Sequence, residues 1–164
     1  MKRILLYIFV LQSFSMVSQK SLSDVLNRFN EGSIPYITPD QMAISMSNTV
    51  ILDAREREEY NVSHIKDAIY IGYDDFELDS VLHSIKDKDQ RIVVYCSIGV
   101  RSEDIGEYLK EEGFKNVFNL YGGIFEWKNK GYAVYDTTAS ETEKVHAFDK
   151  KWGIWLKQGV KVYE

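Results

Sequence analysis

Two uninterrupted apolar runs limit the folds that are open to this chain. Thr49–Leu52 has the sequence TVIL, and Arg91–Tyr95 has the sequence RIVVY. Short runs rich in β-branched residues are typical of strands that are buried on both faces of a parallel sheet. Apolar residues recur at helical spacing in Phe76–Ile85 and in Glu103–Glu112. Strands that alternate with helices predict an α/β fold in which a parallel sheet carries helices on both faces.

Weaker patterns complete this alternation. They predict a helix at Ser21–Asn30, a short strand before Pro39, a helix that starts with Pro39, strands at Asp67–Gly72 and Lys115–Leu120, and a short helix from Gly122 through Trp127. Proline is favoured at the first position of a helix because its missing N–H has no helical partner there.

The last part of the chain, residues 136–164, forms a C-terminal extension. Val145, Phe148, Trp152 and Trp155 stand three or four residues apart and predict a helix over Glu141–Leu156. These apolar residues are too few to form a core of their own. We therefore expect the extension to pack onto the main domain, and we consider that it covers the edge of the sheet where the cysteine lies.

Composition excludes several classes of function. The chain has 164 residues, 45% of them hydrophobic, which suits one globular domain. Its net charge of -5 argues against a nucleic-acid partner, because phosphate binding needs a basic face. One cysteine allows no internal disulfide, and His64, His83 and His146 lie too far apart in sequence for a metal site. We expect no metal and no cofactor, and we place His83 and His146 on the surface.

The N-terminus has the composition of an export signal. Lys2 and Arg3 precede an apolar run that starts at Ile4, and small polar residues follow from Ser18. A positive start, a short apolar stretch and a small-residue end are typical of a secretory signal peptide. We interpret residues 1–18 as such a signal, which predicts a periplasmic or secreted protein with no stable membrane insertion after cleavage.

The single cysteine follows directly after a predicted strand. In open parallel sheets, sites form beyond the carboxyl ends of the strands, so Cys96 after RIVVY and the pair Asp53 and Arg55 after TVIL share one edge. Gly99 allows the loop to curl, and Arg101 adds a cation at the start of the next helix. A thiol at such a turn has a lowered pKa. Free cysteines are more often small buried apolar residues, but this placement favours a reactive thiol.

Three stretches resemble the rhodanese-like family of sulfurtransferases in their single-domain form. Ile51–Ile71 (ILDAREREEYNVSHIKDAIYI) is similar to the Asp-x-Arg motif of the family and to the Glu-Tyr, Gly-His-Ile and Gly-Ala motifs that follow it. Val93–Ser102 (VVYCSIGVRS) resembles the active-site loop, and Val117–Val134 resembles the closing Leu-x-Gly-Gly-x-x-x-Trp motif. This resemblance places a rhodanese-like domain at residues 37–135. Residues 19–36, which precede it, are predicted to form an N-terminal helical segment.

The resemblance implies sulfur transfer through a persulfide. Cys96 would attack the outer sulfur of a donor such as thiosulfate or a persulfide and pass it to cyanide or to a thiol, which includes a protein thiol. Asp53, Arg55 and Arg101 would support the loop or orient the substrate. The loop that would surround the transferred sulfur consists of Ser97, Ile98, Gly99, Val100, Arg101 and Ser102. Domains of this type are commonly monomeric, and we expect a monomer.

Departures from the family pattern keep other functions open. Ser63 and Lys66–Asp67 replace the usual glycine and Pro-Gly around the histidine motif, and Ile98 and Val100 make the rim of the loop apolar. The apolar rim argues against thiosulfate as the physiological donor. A cysteine-dependent phosphatase would need five residues between Cys and Arg, where this chain has four. A non-catalytic binding module and a thiol-redox protein are the remaining alternatives.

Overall fold

The computed structural model describes residues 21–163, so the predicted signal at 1–18 lies outside the described residues and stays a prediction. The strands are β1 Tyr36–Ile37, β2 Thr49–Asp53, β3 Ile69–Tyr70, β4 Arg91–Tyr95, β5 Asn116–Leu120, β6 Val134–Tyr135, β7 Glu141–Thr142, β8 Lys144–His146 and β9 Val160–Val162. The helices are α1 Leu22–Phe29, α2 Pro39–Ser45, α3 Arg57–Val62, α4 Leu78–Ser84, α5 Arg101–Glu111 and α6 Gly123–Asn129. Short 3-10 turns occur at Met46–Asn48 and Gly153–Trp155.

The central sheet is parallel throughout and has the strand order β1-β5-β4-β2-β3. Its middle strands β2 and β4 pair in register, from Thr49 opposite Arg91 to Asp53 opposite Tyr95. This arrangement confirms the predicted α/β fold. The two apolar runs are its central strands, and their residues from Ile51 and Ile92 onwards are buried because each strand has neighbours on both sides and helices on both faces.

Alternate residues of the central strands contribute to two separate cores. Ile51 and Val93 belong to the core on one face of the sheet, where α2, α6 and the C-terminal extension pack. Leu52 and Val94 belong to the core on the other face, which α4 and α5 cover. Successive side chains of a strand point to opposite faces, so each central strand stabilises both layers.

The sheet topology brings the site together at one edge. β2 ends at Asp53 and β4 ends at Tyr95, and these two residues are partners in the parallel register. Cys96 follows Tyr95 and begins the connection to α5, while α6 follows the end of β5 on the neighbouring strand. The carboxyl ends of the three central strands therefore surround the cysteine loop, as expected for this class of sheet.

The C-terminal extension packs on the domain, but the predicted helix over Glu141–Leu156 is wrong. The segment forms β7, β8 and a 3-10 turn instead; β7 pairs with β6, and β8 pairs with β9. Val145, Ala147 and Leu156 are fully buried in the same core as β2 and β4. Burial of the consecutive residues Val145, His146 and Ala147 explains the difference, because a surface helix would expose at least one of them.

The structure also tests the predicted exposure of two histidines and shows whether any described helix could cross a membrane. His146 is 9% exposed, so its predicted place on the surface is wrong; it lies in β8, which packs against α3. His83 is exposed at the end of α4. Within residues 21–163, no helix combines the length and the apolar composition that a membrane crossing requires.

Candidate active site

The Cys96 sulfur lies inside the loop between β4 and α5 and is almost completely buried, with 2% of the residue exposed. The backbone N–H of Gly99 donates to Sγ at 3.1 Å, and the Ser102 hydroxyl lies 3.6 Å from it. The Gly99 N–H faces the sulfur, and the Ser102 hydroxyl is a second candidate donor. Such donors stabilise a sulfur that carries negative charge, either as a thiolate or as a persulfide.

One glycine, Gly123, allows α6 to pack directly against this loop. Gly123 has φ 54, and a Cβ at this position would lie 2.2 Å from the carbonyl oxygen of Cys96. The N–H of Ile124 donates to the Cys96 carbonyl at 2.9 Å, and the N–H of Phe125 donates to the Ser97 carbonyl at 3.2 Å. These bonds direct the two carbonyl groups to α6, while the Gly99 N–H is directed to the sulfur.

The loop conformation also depends on Gly99 and two asparagines. Gly99 has φ 104, a value that side-chain-bearing residues rarely adopt. Its carbonyl accepts hydrogen bonds from the side-chain amides of Asn30 (2.7 Å) and Asn119 (2.8 Å). The Oδ1 atom of Asn119 accepts from the Ser102 hydroxyl at 2.8 Å. A serine hydroxyl has one proton, so Ser102 donates either to Asn119 or to the sulfur.

Glu59 of α3 anchors the loop through charge. Its carboxylate accepts two bonds from the Arg101 guanidinium, at 2.7 and 2.9 Å, and one from the Ser97 hydroxyl at 2.8 Å. Burial by itself raises the pKa of Glu59, but the hydrogen bonds and charge of Arg101, aided by Arg55, lower this pKa to about 2. Glu59 is therefore ionised at neutral pH and fixes the direction of Arg101.

The same arginine acts on the cysteine. Burial raises the pKa of the Cys96 thiol, but the Arg101 cation and the hydrogen bonds from Ser102 and Gly99 outweigh this effect and lower the pKa below its ordinary value. Arg101 makes the largest of the lowering contributions. The thiol is thus biased towards the thiolate, which is the nucleophilic form.

Asp53 and Arg55 lie beneath the site and do not line it. Both side chains are 0% exposed and form a bidentate pair, with Arg55 Nε 2.9 Å from Asp53 Oδ1 and Arg55 Nη2 2.7 Å from Oδ2. Arg55 also donates to the Ser63 carbonyl at 2.6 Å, and the Tyr95 hydroxyl donates to Asp53 at 2.5 Å. This network joins the ends of β2 and β4 to the segment after α3.

A cavity of about 210 Å³ opens next to the sulfur. The loop side of this cavity is formed by Cys96, Ser97, Ile98, Val100 and Arg101. The other lining residues are three aromatic residues, Phe29 of α1 and Phe148 and Trp152 of the extension. The rings of Phe29 and Trp152 are in edge contact at 5.6 Å, and the Arg101 guanidinium lies 5.2 Å from the Phe148 ring centre.

Most of the residues named from the sequence meet in this place. The structure brings the loop from Ser97 to Ser102 around Cys96, while Asp53 and Arg55 support it from below. Phe148 and Trp152 line the cavity with Cys96, which agrees with the expectation that the extension covers the cysteine edge, although both were taken as packing residues. Sequence reasoning missed Glu59, Asn119 and Phe29. Glu59 stood in the Glu-Tyr motif and could have been found there, whereas no local signal placed Phe29 near the cysteine.

Within residues 21–163, no group of three or more histidine, cysteine or acidic side chains is placed to hold an ion. The reactive features of the site are the thiol, the loop N–H groups and the Arg101 cation.

Comparison with known proteins identifies the family. Residues 38–130 match the family model for the rhodanese-like domain, which is more than half of the chain. The chain therefore belongs to the rhodanese-like family, a family that includes sulfur-transfer enzymes.

Curated relatives share this domain and extend well beyond it. A tRNA uridine(34) hydroxylase from Photorhabdus laumondii is 37% identical over 100 residues, which are 58% of this chain and 28% of that protein. The protein of the same name from Yersinia enterocolitica is 37% identical over 103 residues and shares 29% of its length. The chain spans less than a third of the length of these relatives. The tRNA hydroxylase activity in their names is therefore a property of those proteins.

Solved structures show the same fold. A rhodanese-related protein from Thermoplasma volcanium is 28% identical with a TM-score of 0.54, and the match covers 61% of this chain and 96% of that one. The rhodanese-like domain of an Anabaena protein is 26% identical with a TM-score of 0.56, over 65% and 82% of the two chains.

Proposed function

We propose that this protein is a sulfurtransferase that carries sulfur as a persulfide on Cys96. The observation that carries the proposal is the buried sulfur of Cys96, which accepts from the Gly99 N–H and lies beside the Ser102 hydroxyl and the Arg101 cation. These groups favour an anionic sulfur, and the loop leaves a cavity on its open side. Membership of the rhodanese-like family supports the same chemistry.

The reaction would proceed in two balanced steps. The Cys96 thiolate attacks the outer sulfur of a donor such as thiosulfate or a persulfide; the S–S bond of the donor breaks, and its electron pair leaves with the donor remainder. An acceptor thiolate or cyanide then attacks the outer sulfur of the Cys96 persulfide, which restores the thiolate. Each step exchanges one bond to sulfur for another, and no external oxidant or reductant takes part.

A phosphatase is less well supported because of the state of Arg101. A phosphate-binding arginine needs a guanidinium that can turn to the phosphate oxygens. Here Arg101 donates to both carboxylate oxygens of Glu59 and also to Ser97. Four residues separate Cys96 from this arginine, which gives a short loop.

The tRNA hydroxylase activity named for the curated relatives is not proposed for this chain. Its net charge of -5 does not favour binding to tRNA phosphates.

Intact mass measurement tests the proposal directly. The protein is incubated with thiosulfate and, separately, with inorganic polysulfide, then treated with cyanide, and Cys96→Ser is measured alongside. We expect the wild type to gain one sulfur atom from at least one donor and to lose it as thiocyanate, while the variant gains none. Because the chain has one cysteine, the added sulfur has one thiol to bind.

The alternatives give different results in this experiment. A thiol that alkylates rapidly at neutral pH but holds no sulfur from either donor would indicate a thiol-redox protein that works with a partner's cysteine. A thiol that neither holds sulfur nor alkylates would indicate a binding module. Matching urea unfolding curves for wild type and Cys96→Ser would show that the variant is folded.

A further inference from the structure

We propose that the compound that exchanges sulfur with Cys96 is an organic thiol or persulfide whose body is apolar and carries no charge, and that Phe29, Phe148 and Trp152 select it. The inference rests on the proposed sulfur transfer and names the class of substrate for that site. It follows from the charge balance of the cavity, from the chemistry of its wall and from the backbone that holds the wall in place.

The charge balance of the cavity disfavours an anionic substrate. Among the described residues, Arg101 is the one cation that lines the cavity, and the buried Glu59 carboxylate already binds it through two hydrogen bonds. Glu56 lies 3.8 Å from the same guanidinium. The thiolate or persulfide of Cys96 adds a further negative charge. Lys151 and Arg28 contact the rings of Trp152 and Phe29, at 5.2 and 5.9 Å from the ring centres, but neither lines the cavity. Within the lining, a second anion such as thiosulfate would therefore meet no cation apart from the one that Glu59 already binds, and its loss of solvation would not be offset there.

The nearby histidine does not alter this balance. His146 lies in β8 beside the site, and its Nδ1 accepts the backbone N–H of Phe148 at 3.2 Å. Burial lowers the pKa of His146, and the neighbouring Arg55 and Arg101 cations act in the same direction against the raising effect of Glu59 and Glu58. The imidazole is therefore neutral at pH 7 and supplies no cation to the cavity.

The wall of the cavity is suited to an apolar group. Phe29, Phe148 and Trp152 line the cavity together with the apolar residues Ile98 and Val100. The volume of about 210 Å³ is several times the ~30 Å³ share of a water molecule in the liquid, so it has room for an organic group beside the sulfur. An apolar body that enters here loses contact with water and gains contact with aromatic rings.

The backbone at Phe148 indicates that its position is maintained against a local cost. Phe148 has φ 62, a left-handed conformation that bulky residues rarely adopt. The bond from its N–H to His146 and the burial of Ala147 beside it hold this conformation. The side chain remains 44% exposed, so burial of its own ring does not account for its placement over Arg101. Strained residues of this kind cluster at ligand sites.

Acceptor selectivity tests the proposal. Cys96 is loaded with sulfur from polysulfide, and the rate of discharge is measured by intact mass with 2-phenylethanethiol and with the anionic 3-mercaptopropionate, compared at equal thiolate concentration. We expect the aromatic thiol to react at least tenfold faster. Phe148→Ala and Trp152→Ala should each reduce this ratio several-fold, whereas Ile154→Ala, an exposed residue of the same extension, should leave it unchanged. Equal rates with the two thiols, or a ratio that both aromatic variants retain, would overturn the proposal.

A second measurement separates this proposal from the proposed function. The unloaded thiol is alkylated with neutral N-benzyl iodoacetamide and with anionic iodoacetate, which requires no sulfur transfer. We expect the same preference for the neutral aromatic reagent and the same loss in Phe148→Ala. If Cys96 takes up no sulfur but keeps this preference, sulfur transfer fails while the selectivity of the cavity holds. If sulfur transfer occurs without any preference, the assignment of the substrate class fails alone.

A charge variant sharpens the electrostatic part. Val100 lines the cavity next to Arg101, so Val100→Lys supplies a cation that Glu59 does not already bind through two hydrogen bonds. We expect at least a tenfold faster loading from thiosulfate in Val100→Lys than in Val100→Met, which has a similar length and no charge. Equal loading of these two variants would contradict the charge argument.

Discussion

Two arginines of this protein follow neighbouring strand ends, and each forms a bidentate pair with a carboxylate, but their roles differ. Arg55 and Asp53 are both 0% exposed and form contacts only with the fold around them. Arg101 is 16% exposed at the cavity, binds Glu59, and lowers the pKa of the cysteine. The two guanidinium groups differ in what they contact besides their carboxylate partner. Arg55 donates to the backbone carbonyl of Ser63, whereas Arg101 lies beside the cysteine loop.

The comparison shows how a single type of interaction can serve both stability and reactivity. A buried ion pair contributes little net stability, because the desolvation of two charges offsets their attraction, but loss of one partner is costly. The pair beneath the site therefore keeps β2, β4 and the segment after α3 in one arrangement. The pair at the site keeps a cation at a fixed distance from a sulfur. Variants that remove one partner at a time should separate these two roles.

The largest effect should come from Arg55→Met. The variant leaves the Asp53 carboxylate buried without its cation, and we expect a loss of roughly 3–5 kcal/mol in the free energy of unfolding, measured by urea titration. Arg28→Met, which changes an exposed arginine, should stay within about 0.5 kcal/mol of wild type. A loss below about 1 kcal/mol for Arg55→Met would contradict a structural role for this pair.

Acid unfolding should isolate the second pair. The pKa of Glu59 is about 2 in the folded protein against 4.5 for the free side chain. A carboxylate with a lowered folded pKa stabilises the fold above its unfolded pKa, and that stability is lost as the pH falls from 4.5 towards 2. We expect roughly 3 kcal/mol of pH-dependent stability in this window.

The matched variants for this acid effect are neighbours in α3. Glu59→Gln has no carboxylate to protonate and should lack this part of the pH dependence, while Glu58→Gln changes an exposed side chain and should keep it. Urea unfolding at several pH values between 2 and 4.5 measures both. The interpretation fails if Glu59→Gln retains the full pH dependence of the wild type.

Arg101→Met should act on the thiol more than on the fold. The Glu59 carboxylate keeps its bonds from the Ser97 hydroxyl and the Glu56 N–H, so we expect a smaller stability loss than in Arg55→Met. Removal of the cation should raise the pKa of Cys96, measured from the pH dependence of alkylation by neutral iodoacetamide. Arg55→Met is the control, because its effect on this pKa should be the smaller. The opposite order would place the reactive cation at Arg55.

The sequence predicted the sheet and the cysteine loop because both depend on local composition. The prediction for the extension was wrong because its structure depends on contacts with distant residues. The apolar composition of TVIL and RIVVY is enough to predict buried strands, and the cysteine loop directly follows RIVVY. The spacing of Val145, Phe148 and Trp152 fits a helix. The structure of this segment is instead determined by the pairing of β8 with β9 and by burial of Val145 in the core. Such contacts join residues far apart in the chain, and no local pattern records them.

The same limit applies inside the site. The family resemblance gives Asp53, Arg55 and Arg101 one shared role, to support the loop or orient the substrate, because a sequence motif does not say which carboxylate each arginine binds. Glu59 decides this, since it lies on α3 and reaches across to the loop of α5. The partner of a charged side chain is a property of the fold, which the sequence around that side chain does not contain.

The smallest effect should come from Ser102→Ala, and it tests whether the loop hydroxyl donates to the sulfur. Ser102 has one proton and two candidate acceptors, Asn119 Oδ1 at 2.8 Å and Cys96 Sγ at 3.6 Å. If the proton turns to the anionic sulfur, Ser102→Ala should raise the pKa of Cys96 by less than Arg101→Met does, since the cation has the larger influence. Ser102→Thr keeps the hydroxyl and should restore the pKa. An unchanged alkylation profile in Ser102→Ala would assign the proton to Asn119 and leave the Gly99 N–H and Arg101 to stabilise the thiolate.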